Sequence, residues 1–109
     1  MATRKECLQF LLDQLSGMEQ IRYRAMMGEY LLYYREKIIG YLCDDCFLVK
    51  PVPVAKRLLP QAPLVSPYPG AKELLLVEDV EDETSLQTLL ENMYPQLPIP
   101  KNKKTSKGN

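Results

Sequence analysis

Histidine is absent from this sequence. Its absence excludes a Ser–His or Cys–His catalytic pair and the zinc enzymes built on imidazole ligands. Long apolar runs are absent too. No stretch approaches the ~18 consecutive apolar residues that span a bilayer, so no membrane contact is expected. The amino-terminal MATRKECLQF lacks the apolar run and small-residue cleavage site of a secretory signal. Cysteine is sparse and odd in number, with Cys7, Cys43 and Cys46. That pattern fits a reducing cytoplasm better than a secreted disulfide scaffold. The five glycines are scattered and form no phosphate-cradling loop. There is no internal repeat. From these absences we expect a cytoplasmic protein that is not an enzyme, with no catalytic, cofactor-binding or metal site and no small-molecule substrate.

What is present suits one folded domain. A chain of 109 residues, 46% hydrophobic and 26% charged, has ordinary globular composition. At that length folding removes roughly 65% of the unfolded surface from water. The formal charge of zero hides a blocky distribution. Residues 1–72 hold ten Lys or Arg against seven Asp or Glu, residues 73–100 hold seven acids and no base, and residues 101–109 hold four lysines. A protein built to coat nucleic acid would be basic throughout.

Periodicity sketches the elements. Leu8, Leu11, Leu12 and Leu15 fall on one side of a helix over 4–16, with Thr3 and Glu6 at capping-box spacing and Gly17 as the stop. Phe10 lies off that stripe. Residues 18–24 read as a connector or short helical turn. Strands are expected over 26–34, 37–43 and 46–50, joined by the two-residue loops Arg35-Glu36 and Asp44-Asp45. Arg-Glu is poor chemistry for such a turn, so a longer or bulged loop is expected there. Pairing across those loops puts Leu31, Tyr33, Ile38, Leu42, Phe47 and Val49 on the core face. It puts Tyr30, Leu32, Ile39, Tyr41, Cys43, Cys46 and Leu48 on a second apolar face that wants cover. A short helix over 54–59, a proline-rich loop or weak edge strand over 61–70 and a strand over 73–77 follow. Acids at 79–83 then favour a helix start, and Leu86, Leu89, Leu90 and Met93 keep helical spacing. The fold class is α+β: a central antiparallel β-sheet, a meander plus one or two further strands, with N- and C-terminal helices packed on it. The domain spans 1–97, and 98–109 is a disordered lysine-rich tail.

Three segments carry a resemblance. Ile21-Arg22-Tyr23-Arg24-Ala25-Met26-Met27-Gly28-Glu29-Tyr30 resembles the run leading into the first strand of the TfoX N-terminal domain family of competence-regulator-like proteins. Gly40-Tyr41-Leu42-Cys43-Asp44-Asp45-Cys46-Phe47-Leu48-Val49-Lys50-Pro51 is similar to that family's second hairpin. Pro67-Tyr68-Pro69-Gly70-Ala71-Lys72, the acid-rich helix start and the lysine tail look like a stand-alone subgroup. The resemblance covers about residues 3–97. Met27 stands where Phe is frequent, and Arg35-Glu36 where Asp-Gly is frequent. It implies a bacterial cytoplasmic protein tied to competence or transcription regulation.

Four candidate sites remain. Cys43-Asp44-Asp45-Cys46 is a CxxC, but acids around a hairpin turn raise a thiol pKa where a redox pair needs it lowered. With one further cysteine and no histidine, a four-ligand zinc site lacks donors; packed strand-end cysteines are the simpler reading. Phe10, Tyr30, Leu32 and Tyr41 are candidates for a protein interface, with a partner or a second copy, because tyrosine is enriched there. Arg22 and Arg24 suit phosphate, and Lys101, Lys103, Lys104 and Lys107 would add weak, salt-dependent nucleic-acid contact. The plainer readings are ion pairs for the arginines and a solubilising tail for the lysines. The leading expectation is a non-catalytic regulatory or adaptor protein acting through protein contacts. The alternative is a nucleic-acid-binding accessory factor.

Overall fold

A computed structural model describes residues 4–26 and 28–98 of the chain. Thr3, Met27 and the four tail lysines therefore lie outside the described residues. Six strands form one antiparallel sheet: β1 (Ile21–Met26), β2 (Glu29–Tyr34), β3 (Lys37–Cys43), β4 (Cys46–Val49), β5 (Leu64–Val65) and β6 (Leu74–Val77). Their spatial order is β1-β2-β3-β4-β6-β5, all neighbours antiparallel. Three helices accompany them: α1 (Lys5–Gln14), α2 (Pro53–Leu58) and α3 (Glu83–Met93), the last followed by a 3-10 turn at Tyr94–Gln96. This is the α+β arrangement that the periodicity predicts. No helix among the described residues is long and apolar enough to cross a membrane.

Two boundaries differ from the sequence reading. The stretch expected as one strand over 26–34 is a hairpin broken near Gly28, whose φ of 84° is open to glycine at no steric cost. Its first arm, β1, runs through residues read as a connector. As an edge strand it is exposed along all but Ile21, which is half-buried; the alternation Ile21-Arg22-Tyr23-Arg24-Ala25 is a strand signal that the connector reading passed over. The Arg35-Glu36 loop is the second difference. It is a two-residue turn after all, with φ of 50° and 80°, and Asp44-Asp45 matches it with 53° and 63°. Positive φ at both central positions is the backbone of a type I′ hairpin. Arg35 offsets that strain by lying 5.2 Å from the Tyr34 ring centroid and 5.7 Å from that of Tyr94, within cation–π range.

The irregularity expected in that loop sits inside the ladder instead. Tyr33 pairs with Ile38, but Leu32 pairs with Gly40, so Ile39 is the extra residue of a bulge. One added residue exchanges the two faces for everything beyond it. The face assignment is corrected accordingly. Leu32, Ile39, Leu42, Phe47 and Val49 share the helix-side core, with Tyr30 packed against it. Cys43 and Leu48 sit on the other face with Leu74, flanked by Tyr41 and Leu76. Register puts Leu31 opposite Tyr41 and Tyr33 opposite Ile38 on that second side. Gly40 permits the bulge: a β-carbon there would run into the Leu48 carbonyl oxygen of the neighbouring strand.

The helices lie over one face. Leu8, Leu11 and Leu15 from the α1 stripe, and Leu86, Leu89, Leu90 and Met93 from α3, join the sheet core. Asp82 caps α3, accepting the Ser85 amide at 3.2 Å and its hydroxyl at 2.9 Å. The backbone bond from Ser85 holds the Asp82 carboxyl below the usual range. The start of α1 is secured differently. Arg4 is the N-cap residue and its own side chain caps nothing.

Candidate functional site

The site begins at the Asp44-Asp45 turn. The Asp45 carboxylate accepts the Arg4 backbone amide at 2.9 Å and the Arg4 Nε at 3.0 Å. A residue 41 positions away thus satisfies an amide at the α1 N-terminus that local capping leaves open. The Arg4 amide, more than any other cause, holds the Asp45 carboxyl below its usual range, and the Asp45 charge raises the Arg4 guanidinium. This contact pins the β3–β4 hairpin against the first turn of α1.

Beside it lies a groove of about 560 Å³ between α1 and the β4–β6 end of the sheet. Its walls are apolar: Phe10 and Leu11 from α1, Leu42 and Phe47 from the hairpin, Leu76 and Val77 from β6. Its polar rim carries Glu6, Asp45 and Glu78, and no basic residue lines it. Phe10 is 42% exposed.

The thiols divide by environment. Cys43 is buried, and its Sγ donates within reach of Glu29 Oε2 and the Pro67 carbonyl, both at 3.1 Å. Burial first, then the Glu29 hydrogen bond and charge, push this thiol up to about 12. Cys7, on the groove wall, is raised mainly by burial. Cys46 is exposed. All three thiols are free, although Cys43 and Cys46 face one another across the ladder. A raised pKa is the reverse of what a nucleophile or redox thiol needs. Among the described residues no group of three Cys, Asp or Glu is placed to hold a metal ion.

The structure scatters the four residues read as an interface. Phe10 lines the groove. Tyr30 packs half-buried on the helix-side core, its ring edge-on to Tyr23 at 5.7 Å. Leu32 is fully buried and is corrected to a core residue, placed there by the bulge. Tyr41 lies half-buried on the helix-free face. That second face is partly covered by the chain itself, where the Pro67 carbonyl meets Cys43. Arg22 and Arg24 are exposed on edge strand β1. Among the described residues neither makes an ion pair. The groove residues Glu6, Cys7 and Glu78 were not among the candidate site residues of the sequence. Cys7 and Phe10 do stand at helical i, i+3 spacing, but nothing local announces what faces them.

No family model matches the chain, and no solved structure matches it. One curated protein does: an uncharacterised 12.7 kDa protein in the trpE 5′ region of Spirochaeta aurantia. It is 37% identical over 105 residues, covering 95% of this chain and 91% of the relative.

Proposed function

This chain belongs to the family of that spirochaete protein, and from its own geometry we propose that it is a non-catalytic regulatory or adaptor protein acting in the cytoplasm through protein–protein contacts. One observation carries the reading: an apolar groove rimmed by Glu6, Glu78 and the Arg4-paired Asp45, with an exposed phenylalanine at its lip. That chemistry fits an amphipathic segment of a partner, its apolar side chains in the cleft and Lys or Arg at its margins. The thiol shifts and the lack of histidine both speak against nucleophilic catalysis. The TfoX-like segments extend the proposal to competence or transcription regulation.

The test is a paired capture from source-cell extract with tagged wild-type chain and a Phe10→Ser variant, after nuclease treatment. The expected partner survives nuclease, is lost with Phe10→Ser, and binds through a basic, amphipathic peptide when scanned in fragments. A self-associating chain would instead show a concentration-dependent dimer that the same variant dissolves. Binding indifferent to Phe10 overturns the groove as the contact.

A further inference from the structure

The helix-free side of the sheet has a chemistry of its own. Strand alternation puts Arg22 and Arg24 there, on the same side as Tyr33 and Leu31, their register partners. Both arginines are exposed, and with Tyr23 and Tyr33 they line a shallow depression of about 390 Å³. Two strand positions apart, the guanidinium stems stand about 6.6 Å from one another, the scale of one extended nucleotide step. Tyr33 is the first of three tyrosines on this side. Tyr41 sits next to Tyr33 and Tyr68, whose neighbouring phenols, after burial, push its own phenol up. Tyr68 is 49% exposed and borders a second depression, of about 340 Å³, with Tyr41.

Cations close the far side. Lys50 directly follows β4, and Lys72 lies two residues before β6. Burial first, and then the charge of Lys72, lower the Lys50 ammonium, so two cations stand close enough to repel. Among the described residues, alternation puts one strand acid on this face, Glu29, which accepts the Cys43 thiol, and Asp44 of the adjoining turn also acts on that thiol. The β1 end of this face is therefore basic and aromatic, although the whole chain is neutral.

We propose that the helix-free face is a platform for single-stranded nucleic acid, with Tyr33, Tyr41 and Tyr68 as stacking surfaces and Arg22, Arg24, Lys50 and Lys72 as backbone contacts. Phosphates along a strand match such spaced cations, and unpaired bases match phenol rings, exposed at Tyr68 and half-buried at Tyr33 and Tyr41, without sequence preference. A duplex hides its base faces and offers nothing for the tyrosines. An acidic peptide would use the cations and leave the rings idle. This surface is separate from the groove at α1 and stands or falls independently of it.

The experiment is fluorescence anisotropy with labelled oligothymidylate and oligouridylate of about a dozen nucleotides, the scale of one single-strand platform, and with a duplex of equal length. The full chain is used with Lys101, Lys103, Lys104 and Lys107 all replaced by Gln, which removes the tail's contribution. Four phosphate contacts give a plot of log K against log salt with a slope of about −3. R22Q/R24Q should halve that slope. Tyr33→Leu, which keeps the apolar cover, should weaken binding roughly 5- to 100-fold and leave the slope unchanged. Circular dichroism melting verifies that each variant is folded. The proposal is overturned by no binding at about 20 mM salt, where electrostatic contacts are strongest. It is equally overturned by a duplex bound as tightly as the single strands, or by affinity indifferent to Tyr33.

Discussion

A single thiol shows how position governs chemistry in this chain. Cys43 and Cys46 flank the same two-residue turn, yet one is buried against Glu29 and Pro67 and the other is exposed. Their reaction with a disulfide reagent should separate accordingly: Cys46 first, Cys7 next, and Cys43 at a rate set by unfolding. The Cys43 pKa also makes stability depend on alkaline pH. In the folded state this thiol stays protonated to about 12, while unfolded thiols ionise from about 8.5. A group raised in the folded state gives full stability below its unfolded pKa and loses it as pH climbs toward the folded one. Thermal melts between about pH 8 and 11 should therefore fall more steeply for the wild type than for Cys43→Ala; parallel slopes would remove Cys43 as the cause.

At the scale of an element, the β2–β3 hairpin carries the fold's least ordinary backbone. Glu36 sits at φ 80°, where a side chain costs roughly 1–2 kcal/mol that glycine does not pay. Glu36→Gly should raise the urea midpoint by the equivalent of about 1 kcal/mol, and an unchanged or lower midpoint would mean that the side chain's contacts outweigh the strain. Gly40→Ala should act in the opposite direction. The added carbon meets the Leu48 carbonyl oxygen, a main-chain atom that cannot swing aside. Overpacking of this kind costs about 1–3 kcal/mol or more, and the loss of stability would come with a shifted β3–β4 register, visible as altered amide exchange at Tyr41 and Leu42. Intact register with unchanged stability would refute the steric reading. The C-terminal turn is held to this hairpin by aromatic and cationic contacts: Tyr34 edge-on to Tyr94 at 5.4 Å, and Lys37 Nζ 4.3 Å from the Tyr94 ring centroid while donating to the Tyr94 carbonyl at 3.1 Å.

Across the whole molecule one apolar cluster joins α1, α2, α3 and the helix-side face of the sheet. Leu90 lies fully buried within it. Leu90→Ala should cost about 2–5 kcal/mol by lost transfer energy and residual cavity, measured as a lowered urea midpoint, and a cost well below that would mean the helices collapse onto the space. Charge is divided at the same scale. The acids of residues 78–83 cluster near the start of α3, whereas Arg22, Arg24, Lys50 and Lys72 attend the helix-free side. A chain of zero formal charge thereby keeps its acids and these cations apart.

Local pattern alone determined much of this protein. The leucine spacing of α1 and α3, the Asp44-Asp45 turn, the proline-bounded α2 and the α+β class all follow from rules that act within a few residues, because helix and strand periods are printed in the order of side chains. Tertiary structure decided what no local rule reaches. Whether Leu32 or Leu31 faces the core turned on one extra residue in β3, and that bulge depends on Gly40 meeting Leu48 from another strand. A side-chain period of two makes every such slip an exchange of faces. The groove arose the same way, from Asp45 reaching across 41 positions to the amide of Arg4. So did the grouping of tyrosines and cations on the helix-free side, which come from separate strands and loops and become neighbours only once β1 to β6 are paired.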